Sequence, residues 1–544
     1  MLKMVSNPDY DSGHSSRKRL KSPVLVASII LLFSVGLISR IAPLFNVGGR
    51  LLQQWPTEDG YLMLTIARNI ALGNGMSTAA GTIPTNGTQP LFNLIEAVGF
   101  AAVGGDKTLG VAIALVLQII MSLVAARFLF LLARRVLCDR PYHREIAALT
   151  SGLWYSSSVA IPHTMNCLET GLYVTLVLIS VYVWYGKEIG CDHLRFSAKS
   201  AIGIGILLGL TFWARIDAVF LIAAITSWHT LLGLWENRQQ FFRRIVESTI
   251  MGLTSIVVAS PWLINNYVNF GSLMPISGTA QSATASFGQN VLELPSKLFE
   301  YASIVLPIPQ VLERALPVLL VTSLVVLIYA AISIFAAFKM THNERILLYV
   351  TATFGACLVG YYGLLFGAAH FVSRYTFPIS PFLAILTVTM VVLGWERWSG
   401  LIGIRQLLSL GTLSLLVLAL MLNLRLYREG TTHPHFQVVR WIEENASEET
   451  WVGAVQTGTL GFFHDRTVNL DGKVNPNALA AKLERKIPEY VATQTFDDRG
   501  GKIDYLADWI GIASWMKYPP ISQNFEVVVE DRQANLAVLR RKFL

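Results

Sequence analysis

Charge is scarce in this chain. Asp, Glu, Lys and Arg make up 14% of its 544 residues, against about one quarter in soluble domains, which excludes an ordinary soluble enzyme over most of its length. Cysteine is scarce as well. Cys138, Cys167, Cys191 and Cys357 stand far apart beside apolar runs, with no CxxC pair and no metal-ligand spacing, so they read as packing residues rather than a redox or zinc motif. Internal repeats are missing, and low-complexity sequence is confined to the polar N-terminal tail.

What the chain has instead is 53% hydrophobic residues and a mean hydropathy of +0.50. These residues run in blocks of about 18–24, each long enough to cross a hydrocarbon core of about 30 Å as a helix and unlike the strands of a barrel. The sequence predicts an α-helical polytopic membrane protein with about eleven spans, at 23–41, 108–133, 145–162, 170–186, 200–216, 218–235, 248–268, 315–338, 345–366, 376–395 and 406–425. Arg17, Lys18, Arg19 and Lys21 precede the first span, which ends in Arg40 and lacks a small-residue cleavage site. It reads as a retained helix with a cytoplasmic N-terminus. Later basic clusters keep that parity: Arg134, Arg135 and Arg140, then Lys187, Arg195 and Lys199, then Arg238, Arg243 and Arg244, then Lys339 and Arg345, then Arg397 and Arg405. Parity requires that 90–104, which is short and carries Glu96, lie in the interface. Loop charges of this kind account for the net +8 without a nucleic-acid partner.

The chain thus divides into a cytoplasmic tail (1–22), a membrane domain (23–426) and an outer C-terminal domain (427–544), with outer loops at 42–107, 163–169, 269–314 and 367–375. In the C-terminal part charges return and apolar residues alternate. Phe436–Asn445 reads as a helix, and 451–455, 467–470, 503–506, 525–529 and 536–539 read as strands of a small α/β domain.

The sharpest local signal is Trp55-Pro56-Thr57-Glu58-Asp59-Gly60-Tyr61, at the head of a stretch that ends near Gly75 and is followed by Pro84-Thr85-Asn86-Gly87-Thr88-Gln89-Pro90. Thr57 or Asp59 capping a short helix explains part of it. Capping does not explain two carboxylates beside the membrane, where a charge is costly unless water, a metal or a reacting group needs it. Arg68 and Asn69 follow two to three turns on. A base that takes a proton from a sugar hydroxyl at the water–lipid boundary accounts for the pair.

This acidic pair is joined, in order, by Cys167-Leu168-Glu169-Thr170-Gly171, Ala214-Arg215-Ile216-Asp217, Pro261-Trp262 through Asn265 to Phe270-Gly271-Ser272-Leu273-Met274-Pro275, His370 with Arg374-Tyr375, and Asn469-Leu470-Asp471-Gly472. The set resembles the GT-C superfamily of membrane glycosyltransferases, most nearly bacterial members related to protein mannosyltransferases, aminoarabinose transferases and arabinofuranosyltransferases. The resemblance implies a GT-C fold in the inner (plasma) membrane, with the active site and C-terminal domain on the periplasmic side. It also implies a polyprenyl-phosphate sugar donor, an inverting transfer, and a glycan, lipid or protein acceptor. Asp59 is then the general base and Glu58 the alternative, since Glu58-Asp59 replaces the Asp-Glu or Asp-Asp of several relatives. Glu169 is implied as a second acid for acceptor or metal, and Arg374, His370 and Arg215 as the groups that hold the donor phosphate, a role suited to the planar Arg fork.

Bland readings stand beside these: a snorkelling Arg374, an Arg215–Asp217 ion pair between helices, a satisfied interfacial His370. Arg68, Asn86, Gln89, Asp217 and Asp471 are weaker candidates, with His163, Asn166, Asn266, Ser277 and Lys297 behind them. Glu58, Asp59 and Glu169 could hold Mg²⁺ or Mn²⁺ through oxygens, but the resemblance implies no obligatory metal. A transporter or flippase of lipid-linked sugars is the alternative function, for which internal repeats and midplane charges are expected; a receptor or scaffold needs no acidic pair.

Overall fold

Long apolar segments have one way to satisfy their backbone in lipid, and they take it: they are helical. The computed structural model describes residues 22–189, 196–236, 238–283, 285–301, 304, 318–398, 404–430 and 435–542. Arg17, Lys18, Arg19, Lys21, Cys191, Arg195 and part of the 269–314 loop lie outside the described residues. Among the described residues seven helices are long and apolar enough to cross a membrane: Pro23–Phe45, Lys107–Val136, Ala218–Trp235, Arg238–Phe270, His342–Leu364, Val372–Arg397 and Leu408–Glu429. The other four predicted spans are helical too, at Thr170–Glu188, Ala198–Ala214, Val318–Ala337 and a pair, His143–Ser156 and Ala160–Met165, broken where Ser157 takes extended backbone. The 90–104 segment forms a helix of 13 residues, Pro90–Ala102, about 20 Å long at 1.5 Å per residue and so too short to cross.

Short strands β1 (Ser77–Thr78) and β2 (Ile83–Pro84) pair as a hairpin. The C-terminal part is built on a five-stranded sheet, β3 (Val452–Ala454), β4 (Thr467–Asn469), β5 (Tyr505–Asp508), β6 (Phe525–Asp531) and β7 (Leu536–Arg541), in the order β4-β3-β5-β7-β6. β3 runs parallel to β4 and β5, while β7 is antiparallel to β5 and β6, with a register shift between Val527 and Val529. Phe436–Asn445 covers one face through Val438, Val439 and Ile442. The third strand starts at Tyr505 rather than at 503, because the residue before it is held by Trp451: Asp504 donates its N–H to the Trp451 carbonyl and accepts the Trp451 N–H on its side chain. Short helices Gly458–Phe463, Pro476–Leu483 and Ile487–Thr493 were not legible from periodicity, being under three turns each.

The C-terminal part does not hang free. Ala79 and Ile83 of the β1–β2 hairpin are buried in its core with Val468, Leu470 and Leu506. Phe462 is buried with Trp55, Tyr61, Phe100 and Cys167 of the membrane side. That junction surrounds the acidic pair.

Candidate active site

Glu58 and Asp59 open the helix Glu58–Ala71, capped by Thr57, whose Oγ1 accepts the Gly60 N–H at 3.2 Å. The helix start lies hard against the 166–169 turn: the Thr57 N–H and hydroxyl both reach the Asn166 carbonyl, and a Cβ on Gly60 would stand 2.1 Å from that same oxygen. Consecutive helical residues point about 100° apart, so adjacent carboxylates serve different neighbours. Glu58 turns to the C-terminal domain, where it accepts the Gly458 N–H, the Thr459 N–H at 2.9 Å and the Thr459 hydroxyl at 2.7 Å. Asp59 turns into a pocket.

That pocket has a volume of about 260 Å³ and is lined by Asp59, Met63, Gly87, Gln89, Glu169, Arg215, Asp217, Ser277, Tyr362, Phe371, Arg374, Tyr375 and Lys473, with Leu62, Val219, Phe220 and Met274 as apolar wall. Asp59 Oδ2 accepts Arg374 Nη1 at 2.7 Å. Burial alone would push the Asp59 carboxyl up, but Arg374 and Lys473 together hold it below its ordinary value. Arg374 also donates to the Tyr375 hydroxyl at 3.2 Å and lies 4.5 Å from the Phe371 ring.

A second cluster closes the pocket from the helix break at 215–217. Arg215 Nη2 donates to Asp217 Oδ2 at 2.8 Å and to the Tyr362 hydroxyl at 3.2 Å, while Tyr362 donates to the same Asp217 oxygen at 2.7 Å. Glu169 Oε1 is 3.5 Å from Arg215 Nη1. The Arg215 guanidinium sits 4.6 Å from the Tyr375 ring, which stacks on Tyr362 at 4.5 Å. Both the ion pair and the pocket-facing reading of Arg215 are therefore realised at once. Arg215 Nε and Nη1, Asp217 Oδ1, Arg374 Nε and Gln89 Oε1 are buried with no hydrogen-bond partner among the described residues. Burying polar atoms unpaired is costly, and donors and acceptors left over among the residues lining one cavity fit a site for a polar, hydroxylated or anionic ligand.

Other predicted residues go elsewhere. His370 lies exposed at the rim, its ring 4.0 Å from Phe371 and outside the pocket lining. Desolvation and the neighbouring Lys473 charge hold it below its ordinary pKa. Arg68 is drawn away to Asp465 at 3.1 Å and the Gly105 carbonyl at 2.7 Å. Asn86 clamps the loops, bonding Asn266 at 3.0 Å and the Ile276 N–H at 3.1 Å, and Asn69 donates to the Ser77 carbonyl. Asn166 is a turn residue accepting the Leu168 N–H. His163 stacks on Phe377 and lies 3.8 Å from Glu300. Lys297 does not line the pocket, whereas Gln89 and Ser277 do. Asp471 touches the site through Lys473, accepting its N–H at 2.8 Å and lying 3.3 Å from its Nζ.

Lys473 was missed, although it directly follows the Asn469–Gly472 motif; a lysine in a surface turn carries no signal of its own. Glu58, Asp59 and Glu169, offered as an Mg²⁺ or Mn²⁺ set, turn to Thr459, Arg374 and Arg215 respectively, and no group of three or more His, Cys, Asp or Glu among the described residues is arranged to hold a metal ion.

Residues 423–536 match a family model described as a domain of unknown function, DUF8728. No curated protein matches the sequence. In fold the chain is similar to ArnT from Cupriavidus metallidurans bound to undecaprenyl phosphate, with a TM-score of 0.62 at 13% identity over 94% of this chain and 98% of that one. It is also similar to the Archaeoglobus fulgidus oligosaccharyltransferase in complex with Zn and sulfate, with a TM-score of 0.55 at 12% identity over 91% of this chain and 69% of that one. A further match is AglB of the same organism with an inhibitory peptide and a dolichol-phosphate, at a TM-score of 0.50 and 10% identity over 91% and 70%. The chain has the GT-C fold.

Proposed function

We propose that this protein is an inverting glycosyltransferase that moves a sugar from a polyprenyl-phosphate donor to an acceptor hydroxyl on the extracytoplasmic face of the membrane. One observation carries the reading: Asp59, its carboxylate on Arg374, lines a cavity together with Glu169, Arg215, Asp217 and Lys473, and Nε of both arginines is left without a hydrogen-bond partner among the described residues. Two of the fold neighbours were solved with undecaprenyl phosphate and with a dolichol-phosphate, which supports a lipid-phosphate donor here.

The acceptor oxygen attacks the anomeric carbon, the bond from that carbon to the phosphate oxygen breaks, the polyprenyl phosphate leaves with the electron pair, and Asp59 takes the hydroxyl proton. The phosphate needs no proton to leave, but it gains negative charge that a preorganised cation stabilises. In the resting site Arg374 holds Asp59 ionised and therefore weak as a base. A donor phosphate competes for the same guanidinium, and as Arg374 turns to it the buried Asp59 loses its partner and becomes more basic. Glu169 and Asp217, tied to Arg215, orient the sugar hydroxyls through the oxygens they do not spend. Transport is the weaker reading, because the sequence carries no internal repeat of the kind expected of a transporter.

The test is a panel of polyprenyl-phosphate sugars offered to the purified full chain, with the product's anomeric configuration read by NMR. An inverted product is expected; a retained configuration would contradict a single displacement.

A further inference from the structure

The domain of unknown function reaches the pocket at two points that its own fold does not explain. Lys473 lines the cavity, and its Nζ lies 5.5 Å from the Phe371 ring, the same ring that carries the Arg374 guanidinium at 4.5 Å. Two cations from separate parts of the molecule thus flank one aromatic side chain beside Asp59. The turn that presents Lys473 is tightly fixed. Gly472 has φ +81°, Asp471 Oδ1 accepts the Lys473 N–H, and a Cβ on Gly87 of the membrane-side loop would stand 2.0 Å from the Lys473 carbonyl oxygen. At the second point the Gly458–Thr459 segment takes three hydrogen bonds to Glu58, and a Cβ on Gly458 would lie 1.7 Å from the Glu58 carbonyl. Lys107 and Arg68 add ion pairs to Asp465.

We propose that this domain is a working part of the active site: it inserts Lys473 as the second cation for the donor phosphate, and by holding Glu58 it keeps Asp59 aimed into the pocket. The proposal rests on the glycosyltransferase reading and adds that the site is complete only with the C-terminal domain seated. A sugar-linked phosphodiester carries one negative charge and leaves as a monoester with more, so a point charge next to the Arg fork gains value as the bond breaks. Glu58 acts by seating the domain, and with it Lys473, beside Asp59, and is a positioning residue.

Undecaprenyl phosphate is the probe, titrated against the full chain in detergent. Lys473→Ala should weaken its binding about tenfold or more, the scale of one charge-assisted contact; Lys473→Arg should restore most of it, with the ligand-free melting temperature unmoved in both. Glu58→Ala should weaken binding by unseating Lys473, so that the double variant binds no worse than the poorer single one. Wild-type-like binding by Lys473→Ala overturns the proposal, as does a loss that Lys473→Arg fails to restore and that comes with a lower melting temperature. Additive losses in the double variant overturn the coupling through Glu58. Failure of the wild type itself to bind undecaprenyl phosphate counts against the glycosyltransferase reading instead.

Discussion

At the scale of single residues, the site is decided by which oxygen faces which nitrogen. Arg374 touches Asp59 through Nη1 and leaves Nε unspent, so replacing it tests fork and charge separately. Arg374→Ala should weaken undecaprenyl-phosphate binding more than Arg374→Lys, which keeps the charge and loses only the fork; equal, unchanged binding in both would make Arg374 a snorkelling anchor. The same pair sets a pH dependence. Because the Asp59 carboxyl is held below its ordinary value, the stabilisation from its ionised form is complete above about pH 4 and is lost only as pH falls through the lower folded pKa. Arg374→Ala leaves burial opposed chiefly by Lys473, so the acid limb of the transfer pH profile should move upward; superimposable limbs would sever Arg374 from the base. The charged members of the pocket, Asp59, Glu169, Arg215, Asp217 and Arg374, were legible in sequence because a charge beside lipid is costly enough to demand a reason. Lys473 was not, since the same residue type in a soluble domain demands none.

At the scale of elements, the helix Glu58–Ala71 is placed by close backbone approaches that only glycine permits. Gly60 lies against the Asn166 carbonyl and Gly458 against that of Glu58. Gly458→Ala should destabilise the docked arrangement by about 1–3 kcal/mol or more, as overpacking does, and speed hydrogen exchange at 57–62 and 458–463 together. Gly511→Ala, with nothing within 4 Å of the added methyl, should change neither; exchange confined to one side of the junction would show that the two elements are not coupled. Elements with long, uniform patterns, the membrane helices and most strands, were readable from periodicity. Arg68 and Asn86 misled because their partners, Asp465 and Asn266, are far off in the chain, and short-range pattern says nothing about such pairs. The helix Gly458–Phe463 is too short for any period to show, yet it holds Glu58.

At the scale of the whole molecule, the proposed function requires every site residue to lie on the face opposite the basic clusters, which the positive-inside tendency would put in the cytoplasm. Cys138 is exposed beside Arg134, Arg135 and Arg140, and Ser514 is exposed on the C-terminal domain. In intact cells a membrane-impermeant thiol reagent should label Ser514→Cys, and should reach Cys138 only after permeabilisation. Labelling of Cys138 from outside would overturn the topology and the site together.

The most direct measurement of the central claim is sugar transfer from a polyprenyl-phosphate donor by Asp59→Asn and Glu58→Gln, side by side with wild type. Asp59→Asn keeps the shape of the side chain and removes its basicity, so transfer should fall by about two or more orders of magnitude while undecaprenyl phosphate still binds. Glu58→Gln should retain more activity and lose it mainly through docking of the C-terminal domain. An active Asp59→Asn beside a dead Glu58→Gln would reverse the roles within the pair, and full activity in both would contradict the account.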